Sequence, residues 1–336
     1  MPLRLRNCLA PQQHGALPEI QLNETTWIEQ SLQQRGINIT GEITETHIRP
    51  WSTVLRVPTA AGDVYFKAVS PAFAFEPPIT QALYRWRPDC VTEVFTVDAQ
   101  QGWMLTADGG KTLRLAFADG LDMRAWDEAL ALYSGLQIDL AGHVDELLAM
   151  GTRNRRLARL PELYRDLVED TEWLLIDQPD GLTAAQYERL VAAIPEVAEM
   201  CGRLAAFAVP ESLHHNDLHD ANIFYTNGEF QFFDWGDSSI AHPFFSLRTV
   251  FVSIEYTFDL EEDDSLFDEF ARAYLRPWLQ FETEEDLWAA YQIARRLWSL
   301  STAVKYKTQM QEAGDMREEY ATAVPGLLQE FLDANP

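Results

Sequence analysis

Between His214 and Asp237 the chain reads HHNDLHDANIFYTNGEFQFFDWGD, a stretch in which titratable side chains alternate with apolar runs. Asn222 and Asp234 offer a carbonyl and a carboxylate, hard oxygen donors suited to Mg²⁺, an ion that completes its shell with water and substrate phosphates. Asp217, five residues before Asn222, is placed to receive a proton from a hydroxyl lying near a metal-bound phosphate.

The elements that must position these groups are legible nearby. Residues 223–225 form an apolar run, Asn227-Gly228 is a dipeptide that tolerates positive φ in a tight turn, and residues 230–233 form the returning run. A short antiparallel hairpin therefore sets Asn222 just before one strand and Asp234 just after the other, at the same end of the ribbon. Polar residues at such junctions often serve only as caps and turns, and a lone His-x-Asp carries little weight, but the joint spacing is far more specific. A rival reading is a metal-dependent hydrolase using His214, His215, Asp217 and His219, with Asp220 beside them. It needs further imidazoles downstream, where only His242 follows, and His14, His47 and His143 stand in unrelated contexts.

His215-x-Asp217-Leu218-x-x-x-Asn222 followed by Asp234-Trp235-Gly236-Asp237 resembles the aminoglycoside phosphotransferase family, relatives of choline kinase and of protein kinases. The resemblance implies Asp217 as catalytic base, His215 as an orienting residue of its loop, and Asn222 and Asp234 as ligands of the magnesium that bridges nucleotide phosphates. Asp234 is followed by Trp-Gly-Asp where protein kinases have Phe-Gly, which points away from protein substrates. Asp237 receives no role.

Upstream, Thr26 with Glu29 reads as a capping box opening a helix that Gly36 ends. Strands follow at 43–48, 52–57 and 64–69, with turns at 49–51 and 60–63. This sheet resembles the nucleotide-covering part of a kinase N-lobe. The resemblance then implies Lys67, on the third strand, as a contact for the α and β phosphates, and Glu76, before the helical run 79–86, as its carboxylate partner. No GxGxxG lies between the first two strands; Trp51-Ser52-Thr53 occupies that turn, so Ser52 and Thr53 become the candidate phosphate donors. Further strands at 91–97 and 103–106 lead to Asp108-Gly109-Gly110, and adenine is expected against Met104, Thr106 and Ala107.

From Leu121 the periodicity is helical, over 123–135, 143–150, 155–169 and one long helix over 184–207 that carries the catalytic loop, then 243–256, 263–276, 283–305 and 316–333. Residues 1–22 read as an arm over the first domain. The expected fold is α+β and bilobal, protein-kinase-like: an N-lobe of residues 1–107 with an antiparallel sheet, and a mainly helical C-lobe of residues 108–336 with the catalytic loop and acceptor site.

Composition constrains the partners. The chain has 336 residues, 26 Lys and Arg against 52 Asp and Glu, and a formal charge of −26. Such a field disfavours nucleic acid and anionic membranes and favours cationic small molecules, although acidic surfaces also serve solubility. Cys8, Cys90 and Cys201 are few and widely spaced, and no stretch resembles a signal peptide or a membrane span, so a cytoplasmic protein is expected. Two acidic runs, Glu255, Asp259, Glu261, Glu262, Asp263, Asp264, Asp268 and Glu269, then Glu282, Glu284, Glu285 and Asp286, are candidates to hold ammonium groups. Helix-dipole acids on solvated faces explain any one of them equally well. Leu287, Tyr291, Ala294 and Trp298 share a helical face that suits core packing better than an aromatic cage.

The expected activity is transfer of the γ-phosphoryl group of ATP or GTP, with Mg²⁺, to a hydroxyl of a small amine-bearing molecule: an aminoglycoside, amino sugar or amino alcohol. A nucleotide-binding pseudokinase without turnover is the alternative, against which the complete set Lys67, Asp217, Asn222 and Asp234 speaks.

Overall fold

The computed structural model describes residues 22–260, 265–313 and 320–335. The expected N-terminal arm up to Gln21, with Cys8 and His14, the acids Glu261, Glu262, Asp263 and Asp264, and the opening of the expected 316–333 helix fall outside those residues. The chain divides into two compact units, one ending at Gly110 and one beginning at Lys111.

In the first unit, helix α1 (Leu22–Gln34) precedes strands β1 (Thr44–Arg49), β2 (Ser52–Thr59) and β3 (Gly62–Val69), helix α2 (Glu76–Trp86), and strands β4 (Val94–Asp98) and β5 (Trp103–Ala107). The sheet is antiparallel with order β1-β2-β3-β5-β4. Alternation along its strands sends Leu55, Val57, Val64, Phe66 and Leu105 to one face, where Ile28 and Leu32 of α1 complete a core with Trp27 and Trp103 at its edge. Thr26 does not open α1, which already runs from Leu22. A Ser/Thr-x-x-Glu pair marks a helix start only where the preceding residues leave the helix, and here they do not. The other end obeys its local signal. Gly36 adopts φ +71°, and Ile37 N–H and Gly36 N–H return to Leu32 O and Gln33 O, satisfying carbonyls that the helix leaves open.

The second unit is mainly helical. Helices α3 (Leu113–Ala116), α4 (Met123–Leu140) and α5 (Val144–Ala149), strand β6 (Arg153–Asn154), and helices α6 (Leu160–Glu169), α7 (Ala184–Ala192) and α8 (Ile194–Leu204) lead to the loop region. That region holds strands β7 (Ser212–His214), β8 (Ile223–Thr226), β9 (Glu229–Phe232) and β10 (Ser239–Ala241). Helices α9 (Ser246–Phe258), α10 (Ser265–Leu275) and α11 (Glu284–Glu312) follow, then a last helix, Ala323–Ala334. The expected continuous helix over 184–207 is two helices. Pro195, in the first turn of α8, has no N–H to donate back into α7, so the ladder restarts there. The loop region is therefore carried by β7, which pairs antiparallel with β10, itself parallel to β6. In α11, Leu287, Tyr291, Ala294 and Trp298 are all buried and belong to the core.

Candidate active site

The hairpin forms in the expected register. Ile223 pairs with Phe232 and Thr226 with Glu229, and Asn227 and Gly228 take φ +54° and +92°, the two successive positive values of a tight two-residue turn. One more ladder bond, Phe233 N–H to Asn222 O at 3.3 Å, brings Asn222 opposite the residue before Asp234. Asp234 itself is exposed, with φ +66° and ψ +63°, a left-handed conformation that is costly for a residue other than Gly and that concentrates at functional sites. Stacking of Phe224 on Phe233, centroids 4.0 Å apart, locks the base of the ribbon.

His215, Asp217 and Asn222 form one hydrogen-bonded group. Asn222 Nδ2 donates to Asp217 O at 2.9 Å and to Asp217 Oδ2 at 3.2 Å, which orients its side chain and leaves Oδ1, the oxygen a hard cation would take. His215 is buried. Its Nε2 donates to Phe233 O at 2.9 Å and its Nδ1 accepts from Asp217 N–H at 3.3 Å, so the ring ties the backbone of Asp217 to the residue before Asp234. Burial holds this imidazole below its ordinary pKa and hence neutral, the form that both bonds require. Trp235 lies against the ring at 4.6 Å.

Asp217 has a neighbour that sequence reasoning left with the rival hydrolase. His219 Nε2 stands 3.4 Å from Asp217 Oδ2, while His219 Nδ1 accepts from Ala221 N–H. Burial by itself would raise the Asp217 carboxyl, but His219, with Lys305 and His215, outweighs it and holds the group well below the usual carboxylate range. Burial pulls His219 down, and Asp217 more than offsets it, so its pKa is raised. A carboxylate held this firmly ionised orients and hydrogen-bonds a hydroxyl well and takes a proton weakly.

Polar contacts from four helices hold the loop. Tyr133 OH of α4 receives His215 N–H at 3.1 Å, and Gln137 Nε2 donates to Leu213 O at 2.8 Å. Ser246 Oγ, in the first turn of α9, lies 2.8 Å from His214 Nδ1. Asp220 is 2% exposed and takes Arg114 Nε and Nη2 at 2.9 and 2.6 Å, with Ser253 Oγ at 3.1 Å. Asp237, left without a role above, accepts from Lys305 Nζ at 2.8 Å and from Gln309 Nε2 at 2.6 Å. None of these anchors has a local signal, because their partners lie 32 to 106 residues away. The hydrolase cluster does not assemble. His214 faces Ser246, His215 faces Phe233 O, and among the described residues no group of three or more His, Cys, Asp or Glu is arranged to hold a metal ion.

The first unit carries the remaining candidates. Lys67 Nζ meets Glu76 Oε1 at 2.6 Å, with Glu76 only 1% exposed and located at the first residue of α2. Cross-strand pairing places Val54, Lys67 and Met104 in one row, so Lys67, Met104, Thr106 and Ser52 share the sheet face opposite to α1. Thr53 pairs with Ala68 and falls on the α1 face, away from Lys67; Ala107, one residue past Thr106, alternates to that face as well. The acids expected to hold an acceptor divide. Glu282 accepts Ala208 N–H, Glu284 pairs with Arg272 at 2.9 Å, and Asp286 takes the Thr283 hydroxyl at the start of α11, so these are fold contacts. Asp259, Asp268 and Glu269 are exposed.

No curated protein matches this sequence. Among solved structures, the GDP complex of an aminoglycoside 2′-phosphotransferase-IIIa mutant superposes with a TM-score of 0.61 at 16% identity, over 93% of this chain and 98% of that one. Choline kinase from Cryptosporidium parvum Iowa II gives 0.59 at 12% identity, over 92% and 95%. An amicoumacin kinase in complex with AMP-PNP, Ca²⁺ and Ami gives 0.56 at 14%, over 94% and 97%. At these identities the likeness establishes the fold, a kinase-like antiparallel sheet unit followed by a helical one. The family model described as "Phosphotransferase enzyme family" matches residues 97–292, more than half of the chain. The chain belongs to the phosphotransferase enzyme family.

Proposed function

We propose that the protein transfers the γ-phosphoryl group of ATP or GTP to a hydroxyl of a small, amine-bearing acceptor. The observation that carries this reading is the convergence of His215, Asp217, Asn222 and Asp234 on one end of a single hairpin, in a chain of this family. Similar folds whose structures hold GDP or AMP-PNP with Ca²⁺ support a nucleotide and a divalent cation.

Mg²⁺ fits the donor set: Asn222 Oδ1 and the exposed Asp234 carboxylate are hard oxygens, and two protein ligands suffice for an ion that finishes its shell with phosphate and water. When bound it neutralises phosphate charge. Asp217 aligns the acceptor hydroxyl and takes its proton late, consistent with a loose transition state in which positioning matters more than basicity. His215 keeps Asp217 in register with Asp234. Lys67, braced by Glu76, supplies a cation for the α and β phosphates, and Met104, Thr106 and Ser52 share its face of the sheet. The charge of −26 favours an ammonium-bearing acceptor.

The test is a coupled ADP-release screen with ATP and GTP against aminoglycosides, amino sugars and amino alcohols, with Mg²⁺ present or chelated. Acceptor-dependent, Mg²⁺-dependent nucleotide turnover is expected. Nucleotide binding without turnover on any hydroxyl would support the pseudokinase instead.

A further inference from the structure

Lys305 is 3% exposed, and a lysine is almost never buried to that extent unless it is paired. It lies on α11, and its Nζ donates to Asp237 Oδ2 at 2.8 Å and to Asn216 O at 3.3 Å. Asn216 immediately precedes Asp217 and has φ +64°, a left-handed backbone that surrounding contacts must hold. Asp237 lies three residues beyond Asp234, at the end of the turn that follows it. One ammonium thus bridges the backbone next to the proposed hydroxyl-orienting carboxylate and the segment next to the proposed metal ligand.

Holding Asp237 does not require that charge. Gln309, one helical turn further on, already donates to Asp237 Oδ1 at 2.6 Å. Buried ion pairs add little stability over well-packed apolar residues of the same volume, so stability alone is a poor reason for a charge here. What Lys305 adds, and Gln309 does not, is the bond to Asn216 O, which among the described residues otherwise receives only Thr249 Oγ1 at 3.5 Å.

We propose that Lys305 is a positioning residue for phosphotransfer, clamping the carbonyl before Asp217 to Asp237 and so setting the distance between Asp217 and Asp234. This rests on the functional reading above for those two residues, but its first readout needs no acceptor. Lys305→Met alone would strand Asp237, so the informative variant is Lys305→Met/Asp237→Asn, which removes both charges, with Asp237→Asn and Gln309→Met as controls.

Amide hydrogen exchange on the full chain is expected to quicken about tenfold or more across residues 214–222 in the double variant, and to stay as in wild type in Gln309→Met. The melting temperature of the double variant should recover most of what Asp237→Asn loses by stranding the buried Lys305. With an acceptor from the screen, kcat is expected to fall about tenfold or more while nucleotide KM changes little, since a misplaced reacting group costs rate and not ground-state binding. Exchange across 214–222 unchanged in the double variant, or turnover restored together with thermal stability, overturns the proposal. A screen that finds no acceptor counts against the functional reading and leaves the exchange result to decide the clamp.

Discussion

Deleting the ammonium of Lys67 tests burial and nucleotide recognition together. Lys67→Met keeps most of the aliphatic length but leaves the Glu76 carboxylate, 1% exposed, without a cation that stands 2.6 Å away. Breaking a buried pair from one side costs about 3–5 kcal/mol, because the remaining charge stays desolvated. Glu76→Gln breaks it from the other side, where the surviving lysine is 16% exposed and can reach water, so about 1–3 kcal/mol is expected. Lys67→Met/Glu76→Gln removes both charges and should recover most of the first loss. Urea unfolding followed by tryptophan fluorescence reads this out, since Trp27 and Trp103 pack at the edge of the same unit's core. Nucleotide binding should behave differently. A charge-assisted hydrogen bond to phosphate is worth about 1.5–3 kcal/mol, so Lys67→Met and the double variant should both bind MgATP about 10- to 100-fold more weakly. Glu76→Gln keeps the ammonium but loosens it, and should fall between. A double variant that regains stability and binds MgATP as tightly as wild type would refute the phosphate role; wild-type stability in Lys67→Met would refute the burial argument.

Asp217→Asn should leave MgATP affinity nearly intact while lowering turnover by about 10² to 10⁴, and equal loss of nucleotide binding would mean that Asp217 is a metal ligand. Asp234→Ala should weaken Mg²⁺-nucleotide binding and abolish transfer, to be read by calorimetric titration beside the coupled assay. His242 is buried, its Nδ1 accepts from Phe244 N–H, and burial pushes its pKa down to about 3. A depressed histidine pKa stabilises fully above the unfolded value of about 6.5 and loses that contribution as pH falls towards about 3, some ~2 kcal/mol by about pH 5. His242→Asn keeps an acceptor for the same N–H without the titration, so the stability gap between wild type and variant should narrow by about 2 kcal/mol from about pH 8 to about pH 5, in urea titrations at the two pH values. If the acceptor is cationic, its KM should rise with ionic strength more steeply than that of a deaminated analogue, since the attraction is screened beyond about 8 Å at physiological salt; equal phosphorylation of both at low salt would assign the acidic residues to surface solvation alone.

The sequence by itself determined what depends on neighbours along the chain. The hairpin over 223–232 follows from two apolar runs and Asn-Gly, and once it forms, Asn222 and Asp234 lie at the same end of it. Lys67 and Glu76 are nine residues apart across one strand-to-helix connection, close enough for the pattern to suggest the pair. Local signals also misled where a longer stretch decided: Thr26 looked like a cap, although the helix had already begun, and Pro195 was passed over inside one apparent helix. Only the tertiary structure decided what lies around the loop. His219 turns towards Asp217, Arg114 reaches Asp220 across 106 residues, and Lys305 reaches Asp237 across 68. In sequence, nothing marks Lys305 within VKYKTQM, and the acids Glu282, Glu284 and Asp286 are candidates for holding an ammonium group as much as helix-dipole acids on a solvated face. Burial gives Lys305 its meaning, and fold contacts at the surface occupy Glu282, Glu284 and Asp286, because a charged side chain acquires its meaning from the dielectric and the partners around it, and those are set by how the fold arranges its helices.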